Sequence, residues 1–128
     1  NKALRLSQYR GKYVILNFWS SDDPTSRIRH AEYSKYGREK NICVISVGYD
    51  RTNTLSKAIM RQDGIDDGDV LQLFDEQGSE SENFKHYRLW NGYSGYLIDK
   101  DGRIVAKDPT IEQLGKILSK YVKPEVKI

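Results

Sequence analysis

The chain has 128 residues, 38% hydrophobic and 30% charged, with a formal net charge of only +3. That balance predicts a folded, soluble chain and one domain, residues 1–128, rather than two domains or a disordered segment. Lysines and arginines are interspersed with acids and form no basic stripe, so nucleic-acid binding gets no support, and no apolar run approaches the roughly 20 residues that span a bilayer.

The chain opens on Asn1, with no charged region leading into an apolar one, as expected after removal of a leader or trimming. The first structural signal is Tyr13-Val14-Ile15-Leu16-Asn17-Phe18-Trp19, nearly continuous in apolar and aromatic residues. A parallel strand covered on both faces has this composition. Ile42-Cys43-Val44-Ile45-Ser46-Val47 is of the same kind, and Thr25 to Tyr36 between them has no Gly or Pro and predicts a helix. Strand, helix, strand at this spacing predicts a right-handed βαβ unit with a parallel strand pair.

Leu55 to Gln62 predicts a short helix with Leu55 and Ile59 on its apolar face and a cap from Thr52, Asn53 or Thr54. Asp63 to Asp69 is acidic, holds two glycines and predicts a loop; Val70 to Phe74 predicts a short strand, and Asn83 to Tyr87 one helical turn. Tyr96-Leu97-Ile98 and Arg103-Ile104-Val105-Ala106 flank Asp99-Lys100-Asp101-Gly102, a hairpin signal. Thr110 with Gln113 forms a capping box, and Ile111, Leu114, Ile117, Leu118, Tyr121 and Val122 make one apolar helical stripe before a stop at Pro124. The predicted fold class is α/β: a mixed sheet, with a parallel βαβ unit, a helical insert and an antiparallel C-terminal hairpin, flanked by helices.

This order and several local motifs resemble the TlpA-like branch of the thioredoxin superfamily, over nearly the whole chain. Leu6-Ser7-Gln8-Tyr9-Arg10-Gly11-Lys12 resembles the family's lead-in to the first strand. Asn17-Phe18-Trp19-Ser20-Ser21 resembles its Asn-Phe-Trp-Ala-Ser/Thr, and Val47-Gly48-Tyr49-Asp50 sits where its second strand ends. Leu97 to Val105 resembles its hairpin. The resemblance implies a thioredoxin-like fold, thiol–disulfide chemistry and a home outside the bacterial cytoplasm, in a periplasm or on an envelope surface.

The family's chemistry sits in Trp-Cys-Pro-Pro-Cys-Arg. The matching stretch here is Asp22-Asp23-Pro24-Thr25-Ser26-Arg27, with Asp23 at the attacking cysteine's place and Ser26 at the resolving cysteine's. The family's cis-proline falls on Tyr93, where a cis bond would cost a few kcal/mol and a trans bond is expected. Disulfide exchange needs a thiolate, which neither Asp nor Ser supplies. No catalytic residue is therefore expected, and no cofactor. The resemblance implies that a partner segment would lie in the former active-site groove, against Asp22, Asp23, Pro24, Ser26, Trp90 and Tyr93.

Each candidate has a plainer reading. Asp22, Asp23 and Ser26 suit a helix start as capping and turn residues. Trp90 and Tyr96 suit the core, with Tyr93 filling the space of the lost proline. His30 and His86 make no metal pattern with the one cysteine, nor has Asp63 to Asp69 the spacing of a calcium loop, so all are expected at the surface. Cys43 inside an apolar strand is expected to be an inert core residue. Two alternatives stand beside the binding module: a thiol oxidoreductase or peroxidase acting through Cys43, and a non-redox enzyme using Asp23, Ser26 and His30.

Overall fold

The computed structural model describes residues 5–66 and 68–121, the side chain of Tyr121 excepted. The predicted Val122 and Pro124 features lie outside them. Five strands form one sheet: β1 (Val14–Trp19), β2 (Cys43–Gly48), β3 (Leu71–Phe74), β4 (Gly95–Ile98) and β5 (Ile104–Lys107), in the order β3-β2-β1-β4-β5. β1 runs parallel to β2, from Val14 opposite Cys43 to Trp19 opposite Gly48, and β2 runs parallel to β3. β4 is antiparallel to β1 and to β5, with a register shift at Leu97/Ile98. The helices are α1 (Pro24–Lys40), α2 (Asn53–Gln62), α3 (Glu82–His86) and α4 (Ile111–Tyr121). This is the mixed, helix-flanked sheet that the sequence predicts.

The apolar strands divide their side chains between two cores, as the alternation of a strand requires. Ile15, Trp19, Val44 and Leu97 face Tyr33 and Tyr36 of α1, Met60 of α2 and Leu114 and Leu118 of α4. Val14, Leu16, Phe18, Ile45, Val47, Tyr96 and Ile98 face the opposite way, against Leu89 and the rings of Phe84, Tyr87 and Tyr93. α1 lies close on the sheet because residue 37 is glycine: a Cβ there would collide with Val44 and stand 2.8 Å from the Ile42 carbonyl.

Local chemistry sets the boundaries. α1 begins earlier than predicted, with Pro24 at its first position, where a missing N–H costs nothing, and ends later, at left-handed Asn41. In α2 Thr52 is the cap, accepting from the Leu55 N–H at 3.1 Å. Its buried face carries Ser56 and Met60, whereas the predicted apolar Leu55 is 40% exposed. The Asp99 carboxylate holds the hairpin by accepting from the N–H groups of Asp101 and Arg103, both at 2.9 Å. The predicted capping box of α4 is present: the Gln113 N–H donates to the Thr110 hydroxyl at 3.1 Å and the Thr110 N–H to the Gln113 side chain at 2.9 Å. β5 is an edge strand, with Ile104 and Val105 exposed.

Candidate functional site

The loop from Ser20 to Asp23 joins the end of β1 to α1, at the sheet end where open α/β folds place their sites. Beneath it lies Asp50, just past β2 and 7% exposed. Its carboxylate accepts from the Ser21 N–H at 2.8 Å and from the hydroxyls of Ser21, Ser56 and Ser20 at 2.7, 2.7 and 3.1 Å. Burial pushes this carboxyl up, but the hydrogen bonds from Ser56, Ser21 and Ser20 outweigh it and hold the group below its ordinary value. Asp50 is thus an ionised strut that fixes the loop's shape.

Asp23 is the N-cap of α1 by backbone conformation, yet its side chain makes no capping hydrogen bond. Its half-exposed carboxylate and the exposed Asp22 leave the rim of the loop acidic. Ser26, by contrast, is fully buried and held inside the protein. Its hydroxyl accepts from the Ser20 N–H at 3.2 Å and donates to the Asp23 carbonyl at 3.0 Å. Ser26 is thus a tie between strand and helix.

Tyr93 faces this loop. No described residue has a cis peptide bond, so Tyr93 is trans, as expected. Its ring stacks on Tyr49 at 5.4 Å and 26°, and the Tyr49 hydroxyl donates to Asp75 at 2.7 Å. The Tyr93 phenol is pushed up by burial first and then by the charges of Asp23, Asp50 and Asp22. Asp22, Asp23 and Tyr93 therefore share one neighbourhood. Trp90 does not join it through any ring contact, and the expectation of a core position for it fails: at 61% exposure it stands in solvent on a turn whose preceding residue, Arg88, is left-handed. Leu89 takes the buried place instead, and Tyr96 is in the core as expected. A cavity of about 500 Å³ beside the loop is lined by Pro24, Arg27, Ile28 and Asp63, with Arg27 bonded twice to Asp63 at 2.7 and 2.9 Å. Of the predicted site residues it takes in only Pro24.

The surface expectation for His30 is also overturned. Its ring is fully buried and stacks on Trp19 at 4.1 Å and 17°, because position 30 falls on the face of α1 that packs against β1. Neither ring nitrogen has a hydrogen-bond partner among the described residues, so it does not activate Ser26 one turn away. Burial drives the imidazole down to about 4, against the opposing pull of Asp63 and Asp50. His86 is exposed, as expected. No group of three or more His, Cys, Asp or Glu suited to a metal exists among the described residues.

Cys43 is half-buried rather than sealed in the core, and lines a cavity of about 820 Å³. Burial pushes its thiol up, and Lys12 pulls it part of the way back. It starts β2, whereas the loop follows the far end of β1; five strand residues separate the two ends, about 17 Å at the usual rise. The sequence reading missed Asp50, Ser20, Ser21 and Ser56. The signal available was an Asp directly after a buried parallel strand, level with a Ser pair after its neighbour.

The β3-β2-β1-β4-β5 sheet, with a helix launched from the end of β1, places the chain in the thioredoxin-like class. No family model matches the sequence. The thiol-disulfide oxidoreductase ResA of Bacillus thuringiensis subsp. konkukian is 28% identical over 126 residues, 93% of this chain and 69% of that protein. A thioredoxin-like protein from Parabacteroides distasonis superposes with a TM-score of 0.79 at 29% identity, over 87% of this chain and 85% of that one. The exposed lipoprotein thioredoxin Etrx1 of Streptococcus pneumoniae shares the fold, with a TM-score of 0.67 at 21% identity over 93% and 92%. The chain is thus similar to thioredoxin-like thiol–disulfide oxidoreductases, ResA among them, and carries a single cysteine, Cys43. No helix among the described residues is long and apolar enough to cross a membrane.

Proposed function

We propose that residues 1–128 are one redox-inactive thioredoxin-like domain that serves as a binding or structural module in an extracytoplasmic protein. The observation that carries this reading is the state of positions 23 and 26. A half-exposed carboxylate stands at one, and a hydroxyl spent on internal hydrogen bonds at the other. Neither can form a mixed disulfide. What the loop retains is a shaped surface: Asp22, Asp23 and Pro24 at its rim, Tyr93 opposite, Ser26 and Asp50 bracing it from below. The partner is an extended protein segment laid along this rim, with the exposed Trp90 as an outlying anchor.

Insulin reduction in the presence of dithiothreitol tests the inactivity. The expected rate equals the dithiothreitol background, for the native chain and for Cys43→Ser alike. Robust turnover would refute the reading; turnover that vanished in Cys43→Ser would transfer the activity to that thiol. The raised thiol and the distance of Cys43 from the loop favour the first outcome.

A further inference from the structure

Three polar side chains on the α1 side of the sheet are sealed from solvent: Asn17 of β1, Ser46 of β2 and His30 of α1. Asn17 and Ser46 are register partners, and no side-chain nitrogen or oxygen of the three finds a hydrogen-bond partner among the described residues. A neutral imidazole stacked on Trp19 tolerates such a site; a protonated one, with two charged N–H donors, does not.

The carboxylates that reach His30 are already committed. Asp63, at the C-terminal cap of α2, is gripped twice by Arg27, and Asp50, past the end of β2, is saturated by four donors. On β1 and β2 the facing Trp19, Asn17 and Ser46 carry no charge. On α1 itself Arg27 is held by Asp63, and the Tyr33 hydroxyl donates to the Pro109 carbonyl at 2.8 Å. One turn before His30, Ser26 ties the helix to the loop through Ser20 and Asp23.

We propose that His30 is a proton-operated latch: protonation expels its ring from the Trp19 stack, lifts the first turns of α1 off the sheet and unfastens the loop from Ser20 to Asp23. The latch acts on the fold and holds whether or not the loop binds a partner. Its ligand is the proton, and its readout lies in the helix rather than in any thiol.

The test uses the full chain carrying Trp90→Phe, which leaves Trp19 as the sole tryptophan. Carbon-13 NMR of the imidazoles follows His30 directly, Trp19 emission follows the stack, and amide exchange follows α1. With ordinary imidazole at 6.5 in the lifted form and about 4 in the closed one, opening of residues 26–34 rises about twentyfold from pH 7 to pH 5. At each pH the amides of β1 and β2 stay more strongly protected than those of α1, and His30→Phe abolishes the response. Titration of His30 near 6.5, an unchanged response in His30→Phe, or equal protection of α1 and the sheet at pH 5 would each overturn the latch. Should His30→Phe fail to fold, the imidazole titration and the exchange pattern of the parent chain decide alone.

Discussion

Asp50 and His30 are both titratable, both sunk below the surface and both packed near the first turns of α1, yet the fold treats them in opposite ways. Asp50 is met by three serine hydroxyls and a backbone N–H, and stays charged. His30 is met by an indole face and offered no hydrogen bond, and stays neutral. Burial alone does not decide the state of a group; the number of dipoles aimed at it does. Within electrostatic reach of a site built to hold charge lies one built to exclude it.

The largest expected effect comes from dismantling the charged side of this contrast. Asp50→Ala leaves three hydroxyls and an N–H without their acceptor and is expected to cost about 3 kcal/mol in urea unfolding, with Asp50→Asn, which keeps one oxygen, losing about half as much. Equal losses in the two variants would mean that the bonds, rather than the charge, matter little.

The second effect separates the groups by pH. His30 has a folded value below its unfolded one, so the unfolded chain binds more protons between about 4 and 6.5, and stability falls as pH falls through that window. The expected loss from pH 7 to pH 5 is about 2 kcal/mol, removed by His30→Phe. Asp50 has its folded value lowered as well, so its contribution is complete above the ordinary carboxyl range and is lost only as pH falls below it. Chemical denaturation at a series of pH values distinguishes the two; a loss between pH 7 and pH 5 that survives in His30→Phe would assign it elsewhere.

The smallest effect concerns the rim. Thr52→Ala removes a real capping bond and is expected to cost about 1 kcal/mol, whereas Asp23→Ala, whose side chain caps nothing, is expected to cost only a few tenths. Matched thermal melts of the two variants would expose a hidden capping role for Asp23 if their losses were equal.

The sequence made the scaffold legible because its strands are nearly pure apolar runs and its turns carry their own chemistry, as in Asp99 to Gly102 and the Thr110–Gln113 box. The missing sulfur at 23 and 26 was equally visible. The bracing of the loop was not. Ser20, Ser21, Ser56 and Asp50 are polar residues of kinds common on surfaces, and only the parallel register of β1 and β2 brings them together. His30 was misplaced for a related reason: α1 has no clear apolar stripe, and its buried face carries Ser26, His30 and Ser34 beside Tyr33 and Tyr36. Trp90 was misplaced in the other direction, since composition favours a buried indole and the left-handed turn at Arg88 puts Leu89 inward instead.

β5 bears on solubility rather than on the site. Among the described residues no strand pairs with its outer side, which leaves a row of backbone donors and acceptors beside exposed Ile104 and Val105, a template on which another chain could grow. Its four residues, the offset pairing at Leu97/Ile98 and the cations of Arg103 and Lys107 at its margins keep that template short and poorly matched. This edge of the sheet is thereby disfavoured as a template for edge-to-edge aggregation.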